Sequence, residues 1–395
     1  MEYIKIKDLD VQISDGNYSS KYPNSSEFIS SGIPFIRCNN FFNNSITNKD
    51  MYYISKEKHS ELLKGHLKTN DVLISTRGNI GQVVIVPEKY NDANINAQIV
   101  LLRPGKTLDC RYLMWSLKSG YVQKQMEQNQ TGSALKQLPV KRLSEIKVPI
   151  EMDINIQKNI ADKLDKIFTM INLKKEEMKK IDELIKSQFV EMFGNPLLNI
   201  DNSISMTEVC EIIDGDRGNN YPKQSDFYAD EYCLFLNAKN VTDHGFDFSN
   251  NVYITKEKDE QLRKGKLKRG DVILTTRGTV GNLAFYDKDV IYENIRINSG
   301  MVILRMDKEK INERFFIEQF RFQLDNIKFK IANGSAQPQL PISKMNAIKL
   351  LLPDIEFQNK FAQIAEQIDK QKFEFENSLK KLEELQASLM QEYFG

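Results

Sequence analysis

Residues 71–85 read DVLISTRGNIGQVVI, and 200 positions further on residues 271–285 read DVILTTRGTVGNLAF. Each phrase opens on an aspartate after a turn (Thr69-Asn70 or Arg269-Gly270) and enters a short apolar run, Val72-Leu73-Ile74 or Val272-Ile273-Leu274. Such a run suits a buried strand. Thr76-Arg77-Gly78 then leaves the strand, and Gly81 permits a tight return into Val83-Val84-Ile85. The expected unit is a hairpin whose tip carries an arginine beside a glycine.

The likeness continues on both sides of the phrase. Residues 53–68 align with 253–268. Ile13-Ser14-Asp15-Gly16 matches Ile213-Asp214-Gly215, and Phe35 to Asn40 lines up with Phe235 to Asn240. Downstream, Thr131-Gly132-Ser133-Ala134 with Gln137-Leu138-Pro139 matches Asn333-Gly334-Ser335-Ala336 with Gln339-Leu340-Pro341. Residues 184–194 (LIKSQFVEMFG) match 385–395 (LQASLMQEYFG). Two copies at a period of about 200 residues are a tandem domain duplication, since solenoid arrays repeat every 20–50 residues.

Within each copy the texture changes once. The first part mixes short β-rich runs with turn dipeptides such as Asp15-Gly16 and Pro104-Gly105, with short helices expected at 56–64 and 112–128. After Pro149, or Pro353 in the second copy, a long helical pattern begins. Its apolar seam runs Ile160, Leu164, Ile167, Ile171, Lys174, Met178, Ile181, Ile185 in the first copy. The second has Phe361, Ala365, Ile368, Lys372, Phe375, Leu379, Leu382, Gln386. Alternating steps of four and three argue for coiled-coil pairing, with the other copy's helix as the nearest partner. The alternative is that each helix folds back on its own module. The expected fold is α+β: modules at 1–150 and 196–353, long helices at 151–195 and 354–395.

The 395 residues are 41% hydrophobic and 28% charged, the balance of a soluble globular chain. Neither a membrane-length apolar run nor a secretory leader is visible, and the four cysteines form no CxxC pair. Reduced thiols in the cytoplasm are the expectation. Net charge is +1, yet residues 1–150 carry 20 Lys+Arg against 14 Asp+Glu, while 201–352 carry 22 of each. The excess acid lies in the helices, so any affinity for nucleic acid would come from local patches or a partner.

Catalytic signatures fail in turn. Pro104-Gly105-Lys106-Thr107 ends like a phosphate loop, but Val100 stands where the first glycine belongs. Ser133 and Lys136 have the spacing of an activated serine, but the second copy puts Pro338 at the base position. His59 and His66 face Asp259 and Lys266 across the repeat, which argues against a metal. Trp115 sits in an apolar helix and reads as core. No active site and no metal are expected. Arg77 and Arg277 keep two readings open: a fork onto guanine or phosphate, or a brace to Asp71 and Asp271.

The doubled hairpin phrase, the late Gly-Ser…Leu-Pro segment, Gln157 and Gln358 at the helix starts, and the endings Phe193-Gly194 and Phe394-Gly395 together resemble the specificity (S) subunit of Type I restriction–modification systems. The resemblance covers essentially the whole chain. One departure is that the helix starts read Asn155-Ile156-Gln157 and Glu356-Phe357-Gln358, where the family is often proline-rich with Glu-Gln. The resemblance implies two target-recognition domains, each reading half of a split, asymmetric site on double-stranded DNA. It implies that the two helices pair antiparallel, set the spacer and dock two methyltransferase (M) subunits, with nuclease/translocase (R) subunits in the full complex. The chain itself would be non-catalytic and free of cofactor. S-adenosylmethionine for adenine methylation, ATP and Mg²⁺ would belong to the partner subunits.

On that reading the candidate DNA contacts in the first copy are Asn17, Tyr18, Asn39, Asn40, Thr76, Arg77, Gly78, Asn79, Gly132, Ser133 and Lys136. In the second they are Arg217, Asn219, Lys239, Asn240, Thr276, Arg277, Gly278, Thr279, Gly334, Ser335 and Gln337. Residues shared between copies should hold the fold or grip backbone, and those that differ should choose bases. Two other classes compete: the recognition part of a self-contained restriction–methylation enzyme, and a coiled-coil scaffold for protein partners.

Overall fold

The computed structural model describes residues 1–18, 20–133, 135–198, 203–243, 245–332 and 339–395. It divides into two compact units, residues 1–176 with 376–395, and residues 177–375.

In unit 1 the opening phrase is the centre of a four-stranded antiparallel sheet. Val72–Ser75 lies between Ile99–Pro104 and Val83–Ile85, and Val11–Asp15 closes the edge beyond Ile99–Pro104. A strand paired on both sides and covered on both faces reads as one continuous apolar run. Its side chains nevertheless alternate. Val72 and Ile74 join Tyr112, Leu113 and Trp115 of the helix Cys110–Lys118 and Val122 and Met126 of the helix Gly120–Gln128. Leu73, with Val84 and Leu101, faces Ile36 and Ile95 of a three-stranded sheet. That sheet orders Tyr52–Ile54, Ile33–Ile36 and Asn94–Ile95, the last two parallel.

Unit 2 repeats the plan with Cys210–Asp214, Met301–Met306, Val272–Thr275 and Leu283–Phe285, in matching hairpin register (Val272↔Phe285 as Val72↔Ile85). One helix, Glu313–Ala332, replaces the first copy's pair. The single helix expected over 112–128 is therefore corrected. Ser119 is extended (ψ 149°) and its hydroxyl caps the second segment at Val122 N–H, so the chain breaks there.

Each module leads into a helix of 40 residues, Ile154–Phe193 and Ile355–Phe394. The start is clamped by a buried glutamine. Gln157 accepts from Asp109 N–H at 2.8 Å and donates to Glu151 O at 2.7 Å and Thr107 O at 3.2 Å. Gln358 repeats this with Asn312 N–H, Pro353 O and Lys310 O.

Within unit 1 the helices run antiparallel: Lys163 Nζ lies 3.4 Å from Tyr393 Oη, and Lys175 pairs with Glu383 at 2.7 Å. Unit 2 has the same sense, with Lys372 on Asp182 at 2.7 Å and Phe189 edge-on to Phe361 at 5.3 Å. Both expected packings therefore hold in part. Each helix start lies on its own module, as Leu164 does beside Trp115, and each helix end inserts beside the other copy's, as Phe394 does against Tyr112 at 5.4 Å. Ile160, Leu164, Ile167, Ile171, Phe361 and Ile368 are buried, whereas Met178, Ile181, Phe375, Leu379 and Leu382 are half-buried, because a single partner helix covers only one stripe. Among the described residues no helix is long and apolar enough to cross a membrane.

Candidate nucleic-acid interface

The Thr-Arg-Gly turn is built from its own strand ends. Ser75 Oγ donates to Asn79 O at 2.5 Å and accepts from Gln82 N–H at 2.9 Å, and Gly81 N–H reaches Ser75 O at 2.9 Å. Thr275 makes the equivalent bonds to Thr279 O and Asn282 N–H in unit 2. Gly78 and Gly278 take the left-handed conformation (φ 72° and 74°) that glycine adopts without strain, and open space surrounds both. Arg77, Gly78 and Asn79, like Arg277, Gly278 and Thr279, are exposed.

The brace reading of the arginines is overturned. Asp71 is fully buried, and its carboxylate is forked by Arg103 at 2.7 and 2.8 Å while Lys68 N–H bonds it at 2.7 Å. Arg305 holds Asp271 in the same way at 2.8 and 2.7 Å. Among the described residues the Arg77 guanidinium meets the Tyr18 ring, 5.5 Å away, and Arg277 has no side-chain hydrogen bond or ion pair.

Distant segments converge on this turn. Gln98 O accepts from Thr76 N–H (2.8 Å), Thr76 Oγ1 (3.0 Å) and Cys38 Sγ (3.8 Å), which brings in the 37–40 loop. Gly300 O accepts from both Thr276 donors in unit 2. Thr76 O accepts from Leu138 N–H, and Thr276 O from Leu340 N–H, both at 2.9 Å. Arg77 and Thr131 each bridge to Gln137, so the exposed Gly132, Ser133 and Lys136 form a loop next to the turn. Arg277 bridges to Gln339, while Gly334, Ser335 and Gln337 lie outside the described residues.

One difference between the copies lies directly beside the turn. The Tyr18 hydroxyl donates to Ala97 O, and Arg217 Nη2 donates to the equivalent Ser299 O at 3.3 Å and to Asp214 at 3.1 Å. Both approaches rest on a glycine: a Cβ on Gly16 or Gly215 would stand 2.2 Å from Asn96 O or Asn298 O.

Exposed around the turns are thus Tyr18, Asn39, Arg77, Gly78, Asn79, Gly132, Ser133 and Lys136 in unit 1, and Arg217, Asn219, Lys239, Arg277, Gly278 and Thr279 in unit 2. Five of the candidates are buried. Thr76 and Thr276 spend their hydroxyls on the loop carbonyls. Asn40 and Asn240 bond Arg37 N–H and Asn237 N–H and donate to Lys49 O and Asp247 O, which shapes their own loops. Asn17 is 8% exposed. Sequence reasoning missed Arg103 and Arg305, which lie on the neighbouring strands Ile99–Pro104 and Met301–Met306 and so are remote in sequence from the phrase that they brace. All four thiols are free, and burial pushes them up, to about 11 for Cys38 and Cys110 and about 12 for Cys210 and Cys233, far from a thiolate at neutral pH.

A duplicated α+β module, joined by paired helices and presenting the same exposed arginine turn twice, defines a two-module recognition protein. The chain belongs to the family of Type I restriction modification DNA specificity domains, whose profile matches residues 1–183 and again 202–387. Its structure is similar to the crystal structure of the Type-I restriction-modification system S subunit from M. genitalium (TM-score 0.59, 14% identity, 100% of this chain and 96% of that one). It is equally similar to a structure described as the basis of complex assembly and conformational transition of the type I R-M system (TM-score 0.59, 14% identity, 99% and 97%). At 14% identity the likeness is one of fold.

Proposed function

We propose that the chain is the DNA-reading, non-catalytic member of a Type I restriction–modification complex in the cytoplasm. Each unit reads one half of a bipartite, asymmetric duplex site. The paired helices set the spacer and dock two methyltransferase subunits, which carry S-adenosylmethionine and modify adenine. Nuclease/translocase subunits using ATP and Mg²⁺ complete the assembly.

One observation carries this reading: the same exposed arginine turn occurs in both units with a different neighbour, Tyr18 in one and Arg217 in the other. Two like arginine turns suit a common grip on backbone, and unlike neighbours suit unlike bases. A fork-shaped arginine takes phosphate or the O6/N7 edge of guanine, and a tyrosine offers a ring face and one hydroxyl. The modest net charge fits a chain whose partners supply further phosphate contacts.

The test is methylation mapping and DNA binding by the chain reconstituted with methyltransferase subunits. Arg77→Ala should weaken binding through one half-site while the bases selected at the other stay unchanged. Equal loss at both halves, or none, counts against the assignment.

A further inference from the structure

His59 and His66 come together in unit 1 with their ring centroids 4.5 Å apart. His66 Nε2 donates to Leu62 O at 2.6 Å; a carbonyl can only accept, so His66 keeps Nδ1 as a free lone pair. His59 Nδ1 bonds Asn94 Oδ1, which leaves Nε2 facing Asp92 Oδ2 at 3.4 Å. One ligand atom from each of His59, His66 and Asp92 lies within 4.8 Å of the other two. Imidazoles whose second N–H is anchored on an oxygen, joined by a carboxylate, are the donor set of a zinc-type ion.

The repeat supplies a second, independent observation. In unit 2 the same place is an ion cluster: buried Asp259 is held by Lys266 at 2.5 Å and by Arg296. Lys266 and Arg296 share a β-bridge just as His66 and Asn94 do. These ions tie the short helix Lys256–Gln261 to the strand Ile295–Ile297. Unit 1 replaces all three charged residues with His59, His66 and Asn94, and the fully buried Asn94 keeps an unpartnered Nδ2. By sequence, Asp259 and Lys266 in the second copy argue against a metal. In the structure these residues form a cross-link at the node where unit 1 places His59, His66 and Asn94.

We propose that His59, His66 and Asp92 bind a divalent first-row transition-metal ion, with water in the remaining positions on the exposed Asp92 side. The ion performs the cross-linking that Asp259, Lys266 and Arg296 perform in unit 2. Asn94-Ile95 leads directly into Asn96–Gln98, whose carbonyls hold Tyr18 and Thr76. The metal therefore stiffens the support of one reading surface only, a consequence that rests on the proposed function, whereas binding of the ion does not.

The experiment uses the full, tag-free chain after chelator treatment, titrated with zinc chloride against a chromophoric chelator. One equivalent should bind. Affinity should fall at least about tenfold in Asp92→Asn, and uptake should vanish in the triple variant His59→Asp, His66→Lys, Asn94→Arg. That variant installs unit 2's own ion cluster, so it is built to fold, and zinc should raise the melting temperature of the parent alone. No uptake overturns the proposal. Undiminished uptake by the triple variant, which would place the ion on cysteines, overturns it as well. Zinc binding is read without DNA, so its failure leaves the DNA-reading assignment standing.

Discussion

At the residue scale the two charged residues of the repeated phrase part company. Asp71 lies inside and Arg77 outside, although six positions separate them. Antiparallel pairing of Leu102 with Val72 sets Arg103 beside Asp71, a register that nothing local in the phrase encodes. Asp71→Asn removes a charge from a fork whose carboxylate is fully buried and should cost about 3 kcal/mol in chemical denaturation. Arg77→Ala, on an exposed turn, should change stability by less than about 0.5 kcal/mol. Comparable losses in the two variants would contradict this division of labour between brace and surface.

At the element scale, the break between Cys110–Lys118 and Gly120–Gln128 leaves Lys118 in a confined place. It donates to Asn44 Oδ1 near the rings of Trp115 (5.6 Å) and Phe168 (5.8 Å). Burial pushes its ammonium down from the ordinary 10.5 to about 8. Between these values the unfolded chain holds a proton that the folded chain has released, so raising the pH through this window stabilises the fold. Lys118→Met should add about 1 to 2 kcal/mol at pH 7, and the rise in unfolding free energy between pH 8 and 10.5 should flatten relative to the parent. The helix itself was legible from its apolar spacing. The Ser119 break was not, because Ser-Gly inside a helical pattern acquires its capping role only when the following turn has somewhere to pack.

At the scale of the whole molecule, each unit is completed by the end of the other copy's helix. Phe394 is fully buried among Tyr112, Ile160 and Leu164, although it lies at the far end of the sequence from Tyr112. Phe394→Ala should destabilise unit 1 by about 3 to 5 kcal/mol. Protease cleavage should then appear first within residues 1–176, with unit 2 resisting for longer. If the paired helices set the spacer, inserting four residues into each adds about 6 Å at 1.5 Å per residue. The spacer in methylated sites should then lengthen by about two base pairs at 3.4 Å each, and an unchanged spacer would count against that role.

The sequence by itself determined the duplication, the strand–turn–strand character of the phrase, the long helices and the family, because these depend on local periodicity and on self-likeness between copies. Only the tertiary structure decided which residues meet: Asp71 with Arg103, Phe394 with Tyr112, and His59 with His66 and Asp92. It also sorted the candidates into exposed Arg77 and Tyr18 and buried Thr76 and Asn40. The physical reason is that burial and charge pairing are set by strand register and by contacts between segments remote in the chain. A residue's type and spacing limit those contacts without choosing among them.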